Sequence, residues 1–414
     1  MRPQLFTPRN IILFLLAALI FGGTVVWLQG GSKIAFLDAV PSTAGKIVWA
    51  RSGDLYMADS ATGDNTVLLT TDKNGADGEP AWSSDGETVA LTSDRNGITR
   101  QLYMMSATPG AKVSVRTNSS STKEAPQWGA GGDIYFLDGG RIAKLSPKTG
   151  DIDAVFPSAD LKRAVLSEQS DTAAPTHFAV SPDGTREFGS ISLFGGITQF
   201  LVSPDGTRFF AVIKQERGEV FVMYSSDGVL ATFGVAQSVL IKQGASGGVV
   251  AVFCGGEPLQ RPALLLKKSD LAGLLQPGAE TELEHNLTLN KTDQNTMIRV
   301  DDTFAIQPVS KIPFAPSGIA VSLDGNRVAV TSTDPKFRGV FAVSLDGGQA
   351  KGGIAALPAS EPVWSPDGTQ IAFVSGKNVF TASSVPGAAV VAPVNLTKDV
   401  GTNTAPAWSP AKPK

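Results

Sequence analysis

Downstream of Lys46 the chain alternates short apolar runs with polar segments rich in Gly, Pro, Asp and Ser. That rhythm predicts strands joined by tight turns. The turn signal is sharpest in Ser-Pro-Asp-Gly, where Pro supplies φ near −65°, Gly accepts positive φ, and the Asp side chain can hydrogen-bond the turn amides. Thr88–Thr92, Phe209–Ile213, Val328–Thr331 and Ile371–Val374 follow such turns and read as second strands. Leu102–Met104, Val220–Met223, Val340–Val343 and Val379–Ala382 then read as third strands. Some copies add a fourth run closing on Leu-Thr, as in Leu68-Leu69-Thr70 and Asn395-Leu396-Thr397.

These units repeat. Glu79-Pro80-Ala81-Trp82-Ser83-Ser84-Asp85-Gly86 and Glu361-Pro362-Val363-Trp364-Ser365-Pro366-Asp367-Gly368 are the clearest copies, with a weaker one at Ala125–Gly129 and a truncated one at Ala405–Pro410. Four of the six tryptophans share the Pro-x-Trp slot. Trp82 and Trp128 lie 46 residues apart, Trp364 and Trp408 44 apart, and both intervals fit a blade of four short strands. The positions assigned to the repeat, all structural, are Trp82, Asp85, Gly86, Trp128, Asp183, Gly184, Asp205, Gly206, Asp324, Gly325, Trp364, Asp367, Gly368 and Trp408.

The two ends complement each other. Lys46–Ala50 opens directly with a second-strand pattern, whereas Pro406–Ser409 offers a first strand with little chain behind it. Together they make one blade, the device by which a ring of blades loses its exposed edge. The expected fold is therefore an all-β, single β-propeller of four-stranded blades, six to eight in number and best counted as seven. The turns at Ser181–Gly184 and Ser203–Gly206 are only 22 residues apart, so one of them joins outer strands or marks a degenerate blade. Residues 257–309 lack the repeat and read as an irregular blade or insertion, with a short helix possible at Asp270–Leu275.

Ahead of the propeller, Ile11–Leu28 carries no charge. As a helix it would reach about 27 Å, enough for a bilayer core. Arg2 and Arg9 precede it and only Lys33 follows closely, which keeps the amino end cytoplasmic. A cleaved secretory signal has a shorter core followed by small residues, so an uncleaved anchor is the better expectation. The expected layout is a cytoplasmic tail (1–10), a transmembrane helix (11–28), a linker (29–45), an extracytoplasmic propeller (46–410) and a short tail (411–414).

Composition narrows the function. With 44 Gly and 26 Pro the chain is rich in turns, and a net charge of −3 gives no basic field for nucleic acid. The lone Cys254, inside Val250–Cys254, permits no internal disulfide and reads as a small buried hydrophobe.

The repeat resembles the TolB-like propeller family, whose pattern runs Pro-x-Trp-Ser-Pro-Asp-Gly, Ile-Ala-Phe, Ser-Asp-Arg-x-Gly, Ile-Tyr, Leu-Thr. Trp82–Gly86, Ser93-Asp94-Arg95-Asn96-Gly97 and Leu102-Tyr103 match it nearly end to end. The likeness covers 46–150 and 315–410 and thins between them. It implies a platform for protein partners in the bacterial envelope. The family's namesake also carries an amino-terminal α/β domain, for which Leu28 to Lys46 leaves no room, and that places membership of the same system in doubt.

Candidate chemistry is sparse. Gly244-Ala245-Ser246-Gly247-Gly248 fits a nucleophile elbow, with Asp270 and His285 downstream, but an elbow needs a helix after it and Val249–Phe253 reads as a strand. His177 and His285 are 108 positions apart, a poor basis for a metal site. Asp72–Glu79 has acidic residues for Ca²⁺ but not the EF-hand spacing. Arg95, Arg261, Lys267 and Lys268 are candidate contacts for an acidic partner. The expectation is a non-catalytic scaffold, without cofactor or metal, that binds a protein or a cell-envelope component. The alternative is a propeller-based hydrolase or lyase acting on an envelope or polysaccharide substrate.

Overall fold

The computed structural model describes residues 45–410, leaving aside 59–62, 64, 71–74, 98, 130, 157–175, 181–186, 193–195, 227–228, 245–247, 267–288, 290, 302, 347–352, 385–391 and 399. The proposed transmembrane helix therefore lies outside the described residues. Among those described, no helix is long and apolar enough to cross a membrane.

The apolar runs form seven antiparallel sheets. In five of them the strand order from the axis outward follows the chain. Blade II comprises Asp77–Trp82, Thr88–Ser93, Gln101–Ser106 and Ser114–Val115, and blade III comprises Lys123–Trp128, Ile134–Asp138, Arg141–Leu145 and Ile152–Phe156. Blade IV is built on Ile197–Val202, Arg208–Gln215, Gly218–Ser225 and Leu230–Ala236, and blade V on Ser238–Gln243, Val249–Cys254, Asn295–Val300 and Ile306–Ile312. Blades VI and VII begin with Gly318–Val321 and Ser360–Trp364 and end with Gly353–Ala355 and Val394–Asn395.

Blade I joins the two ends of the described chain. Its inner strand is Asn403–Trp408, followed by Ile47–Arg51, Asp54–Ala58 and Val67–Leu68. Ile47 stands opposite Trp408 in the antiparallel register, and Trp49 Nε1 donates to Asn403 Oδ1 at 3.1 Å. Beyond the strands, Lys46 N donates to Ser409 Oγ and Ser409 N returns a bond to Lys46 O, at 2.8 and 2.7 Å. Seven blades thus close in a ring with no open edge between first and last.

The core is divided among the seams between blades. Val48, Leu55, Trp82, Leu91 and Met105 fill the seam between I and II, while Phe210, Phe221, Phe233 and Phe253 fill that between IV and V. Phe221 lies 4.7 Å from Phe233, centroid to centroid, and 6.3 Å from Phe253. Each blade is apolar on both faces, which is why second strands such as Val249–Cys254 are buried at every position.

The middle of the ring departs from the repeat. Blade IV has seven strands, because Pro258–Leu266 pairs outside Leu230–Ala236 and the hairpin Thr176–Val180 with Glu187–Ser192 pairs outside that. The turn at Ser203–Gly206 therefore joins the first two strands of blade IV, while 181–184, outside the described residues, lies between the strands of the added hairpin. The described residues of 257–309 are shared between two blades. They send one strand to blade IV and return as the last two strands of blade V. Asp270–Leu275 lies outside the described residues.

Candidate functional site on the connection face

Antiparallel order gives the ring two distinct faces. The turns between first and second strands lie on one, and the turns between second and third strands, together with the connections to the next blade, lie on the other. The repeat residues belong to the turn face and the seams. Ser83, Ser322 and Ser365 donate their hydroxyls to Asp85, Asp324 and Asp367 at 2.5, 2.5 and 2.6 Å, and Ser203 does the same to Asp205. Gly86, Gly206, Gly325 and Gly368 take φ of 68° to 71°, and each closes the turn by donating its N–H to the serine carbonyl. The serine and amide bonds hold Asp85 and Asp324 below the usual carboxylate range and Asp205 at about 2. For Asp367 burial pushes the other way, and the bonds from Ser365 and Thr369 outweigh it. Asp183 and Gly184 lie outside the described residues.

The tryptophans join neighbouring blades. Trp82, Trp128 and Trp364 donate their indole N–H to the carbonyls of Ala407, Ala81 and Ala320 in the preceding blade, at 3.1, 3.0 and 2.9 Å. Trp408, as buried as Trp82 and Trp364, finds no acceptor for its own among the described residues. The threonine after the fourth run, in Leu-Thr or, in blade II, Arg-Thr, has a related purpose within a blade. Thr70, Thr117 and Thr397 accept at Oγ1 from the amides of Leu55, Leu102 and Val379, the start of each third run.

Sequence reasoning missed a second set of contacts, made by the inner strands. The residue before each Pro-x-Trp proline adopts positive φ, at Glu79, Ala125, Glu361 and Ala405. This bulge turns an amide away from the ladder, where it needs an acceptor. Glu79 Oε2 accepts from Ala125 N at 3.1 Å and Glu361 Oε2 from Ala405 N at 2.5 Å, one blade onward in each case. The visible signal was the alternation of Glu-Pro and Ala-Pro copies.

On the connection face, the first residue of three successive inner strands is buried and tied to the end of the second strand or the turn just after it. Asp77 pairs with Arg95 at 2.6 Å, their side chains 1% and 7% exposed. Lys123 pairs with Asp138 at 2.6 Å, at 1% and 30% exposure. Asn403, fully buried, accepts from Arg51 Nε at 2.9 Å. Arg95 is thus committed to an internal partner and is not free for an acidic protein. Asp77, one of the candidate Ca²⁺ ligands, is committed to Arg95.

Around Lys123 the polar groups converge. Its ammonium donates to Ser119 Oγ at 2.6 Å, Ser121 Oγ at 2.8 Å and Asp138 Oδ1 at 2.6 Å, and Ser121 Oγ donates to Asp138 Oδ1 at 2.5 Å. Gln101, itself buried, anchors this connection by donating to the carbonyls of Ser119 and Ser121. Ser121 and Asp138 border a cavity of about 460 Å³, whose wall continues over Arg141, Ala143, Ile152 and Ala154. The cavity follows from strand lengths. Blade II ends in the two-residue strand Ser114–Val115, too short to cover the outer strands of blade III.

The remaining candidates separate. Of Gly244–Gly248, 245–247 lie outside the described residues, but the segment is followed by the strand Val249–Cys254, paired antiparallel with Ser238–Gln243, where an elbow needs a helix. Cys254 is buried, and burial raises its thiol pKa. Arg261 is exposed on the strand added to blade IV, and His177 belongs to its outer hairpin. His285, Lys267 and Lys268 lie outside the described residues. Among the described residues, no group of three or more His, Cys, Asp or Glu is placed to hold a metal ion.

No family model and no curated protein matches the chain. Solved structures do. A functionally unknown protein from Desulfotomaculum acetoxidans is 13% identical, with 88% of this chain and 98% of that one covered and a TM-score of 0.51. A putative 6-phosphogluconolactonase from Bacteroides uniformis is 14% identical over the same shares, with a TM-score of 0.50. TolB from Acinetobacter baumannii is 12% identical, covering 87% of this chain and 81% of its own, with a TM-score of 0.41. The likeness is one of fold. It leaves the function to the site.

Proposed function

We propose that this protein is a membrane-anchored binding scaffold, displayed outside the cytoplasmic membrane, that receives its partner on the connection face of the propeller. The observation that carries this reading is the blade III cavity, bordered on one side by a hydrogen-bonded connection and on another by exposed aliphatic residues. Pre-organised polar groups beside apolar surface favour recognition, because little ordering cost is left for binding. The uncharged stretch 11–28 supports the anchoring. A photo-crosslinking residue placed at Ala154, in the full-length chain in its native membrane, is expected to capture a partner that the same residue placed at Asp85 on the turn face does not. Equal capture from both positions, or from neither, defeats the proposal.

A second reading is favoured by one specific arrangement. The Ser121 hydroxyl contacts both the Lys123 ammonium and the Asp138 carboxylate, and Ser121 lines the cavity. A hydroxyl so placed has the elements of a nucleophile with an adjacent base and cation, the requirement of a hydrolase. That one fold neighbour is named a putative lactonase is compatible with this reading and does not establish it. Ester and lactone turnover by the wild type, lost in Ser121→Ala, would select it over the scaffold.

A further inference from the structure

The register of blade III aligns more than one kind of group in the cavity. Asp138 and Arg141 face each other across the Gly139-Gly140 turn, Ala143 pairs with Phe136 and Ala154, and Leu145 pairs with Ile152. Since side chains alternate between faces, Asp138, Arg141, Ala143, Ile152 and Ala154 share one face of the blade. It is the face turned toward blade II, where Phe136, Ala143 and Leu145 pack with Leu102 and Met104. An anion, a cation and an aliphatic floor thus stand side by side.

The two charges are not used up by each other. Asp138 receives Lys123 and Ser121 at Oδ1, and its Oδ2 accepts nothing among the described residues. Arg141 is exposed and forms no ion pair among the described residues. Lys123 and Ser121 fix the carboxylate in place, since the lysine is 1% exposed and its ammonium is committed. A ligand complementary to this wall carries a carboxylate for the guanidinium fork, an ammonium for Asp138 Oδ2 and an aliphatic group for Ile152 and Ala154. We infer that the blade III cavity binds a free α-amino acid with an aliphatic side chain. The inference rests on the reading of the connection face as the binding face and names the ligand class it selects.

The test uses the full-length chain in detergent, titrated by calorimetry with L-leucine, with leucinamide, which lacks the carboxylate, and with 4-methylpentanoate, which lacks the amine. L-leucine is expected to bind saturably, and each analogue at least about tenfold more weakly, as befits loss of one charge-assisted contact. Arg141→Met, at an exposed position, is expected to bind L-leucine and leucinamide alike. Ala154→Trp, which fills the floor, is expected to bind neither while keeping the wild-type melting temperature. Absence of saturable L-leucine binding by the wild type overturns the inference, as does an Arg141→Met chain that still prefers L-leucine to leucinamide. The outcomes separate it from the scaffold reading. Partner capture at Ala154 without leucine binding removes the amino acid and leaves the scaffold, and leucine binding without capture does the reverse.

Discussion

Asp77 and Lys123 occupy the same position in adjacent blades, the first residue of a six-residue inner strand, and carry opposite charges. Each is met by its complement from the end of the second strand or the turn just after it, Arg95 in one blade and Asp138 in the other. The ring therefore keeps the pairing and not the sign, which explains why the Ser-Asp-Arg-x-Gly motif of blade II has no copy in blade III.

The two pairs differ in depth, and their variants are expected to differ accordingly. Asp77→Ala removes the buried carboxylate that Arg95, 7% exposed, pairs with, and is expected to cost about 3–5 kcal/mol. Lys123→Met leaves Asp138 at 30% exposure, where water can reach it, and is expected to cost less, about 1–2 kcal/mol. Replacing the deep pair together, Asp77→Leu with Arg95→Met, is expected to recover most of the loss. Urea denaturation midpoints compare the three, and equal losses for the two single variants would contradict the account.

The indole bonds across the seams give a second ranking. Replacement of Trp82, Trp128 or Trp364 by Phe removes a bond and orphans a carbonyl, whereas Trp408→Phe removes a buried N–H that has no acceptor among the described residues. The first three are expected to cost about 1 kcal/mol more than the fourth. Thermal melting of the four chains measures the difference, and a Trp408→Phe chain as damaged as the rest would refute it.

Stability is expected to fall in acid for a local reason. Asp205 is held at about 2 against an unfolded value near 3.8, and Asp85 and Asp324 are lowered in the same sense. A carboxyl lowered in the folded state contributes fully above its unfolded pKa, and that contribution is lost as pH drops through the folded value. Asp205→Asn is thus expected to flatten the pH dependence of the unfolding free energy between about pH 4 and 2 while changing the curve above it by a constant. An unchanged slope in that window would rule Asp205 out as a source. The groups are exposed, so salt is expected to shrink the effect.

Much of this architecture was legible in the chain. Pro-x-Trp and Ser-x-Asp-Gly act locally, through the φ of Pro and Gly and one serine–aspartate bond, so the blades carrying them stand out. Closure was legible because Pro406–Ser409 supplies the strand that Lys46–Ala50 lacks. The seven strands of blade IV were not, since their outer pairings join residues near 180 to residues near 265, and no local motif encodes such a partner. The cavity was equally hidden. It exists because one blade's last strand has two residues and its neighbour's has five, a comparison that only the assembled sheets allow.

Removing the closing strand is expected to be far more damaging than its length implies. A chain ending at Thr402 leaves the Ile47–Arg51 edge unpaired and uncovers Ile47 and Trp49, both fully buried in the ring. Loss of a single cooperative melting transition, with self-association in sedimentation, is the expected outcome. A truncated chain that melts as a monomer at the wild-type temperature would show that the clasp is dispensable.

The composite sheet of blade IV also imposes a timetable on biosynthesis. Its outer hairpin ends at Ser192 and the residues that connect it to the rest are Leu264 to Leu266, so the hairpin has no neighbour to pair with until 72 further residues have been made (264 − 192). At usual translation speeds that interval lasts about 4–14 s, during which two strands with unsatisfied edges wait in a newborn polypeptide. A cell making this protein must shield those strands for that long, so this stretch of the nascent chain is where a chaperone would be most needed.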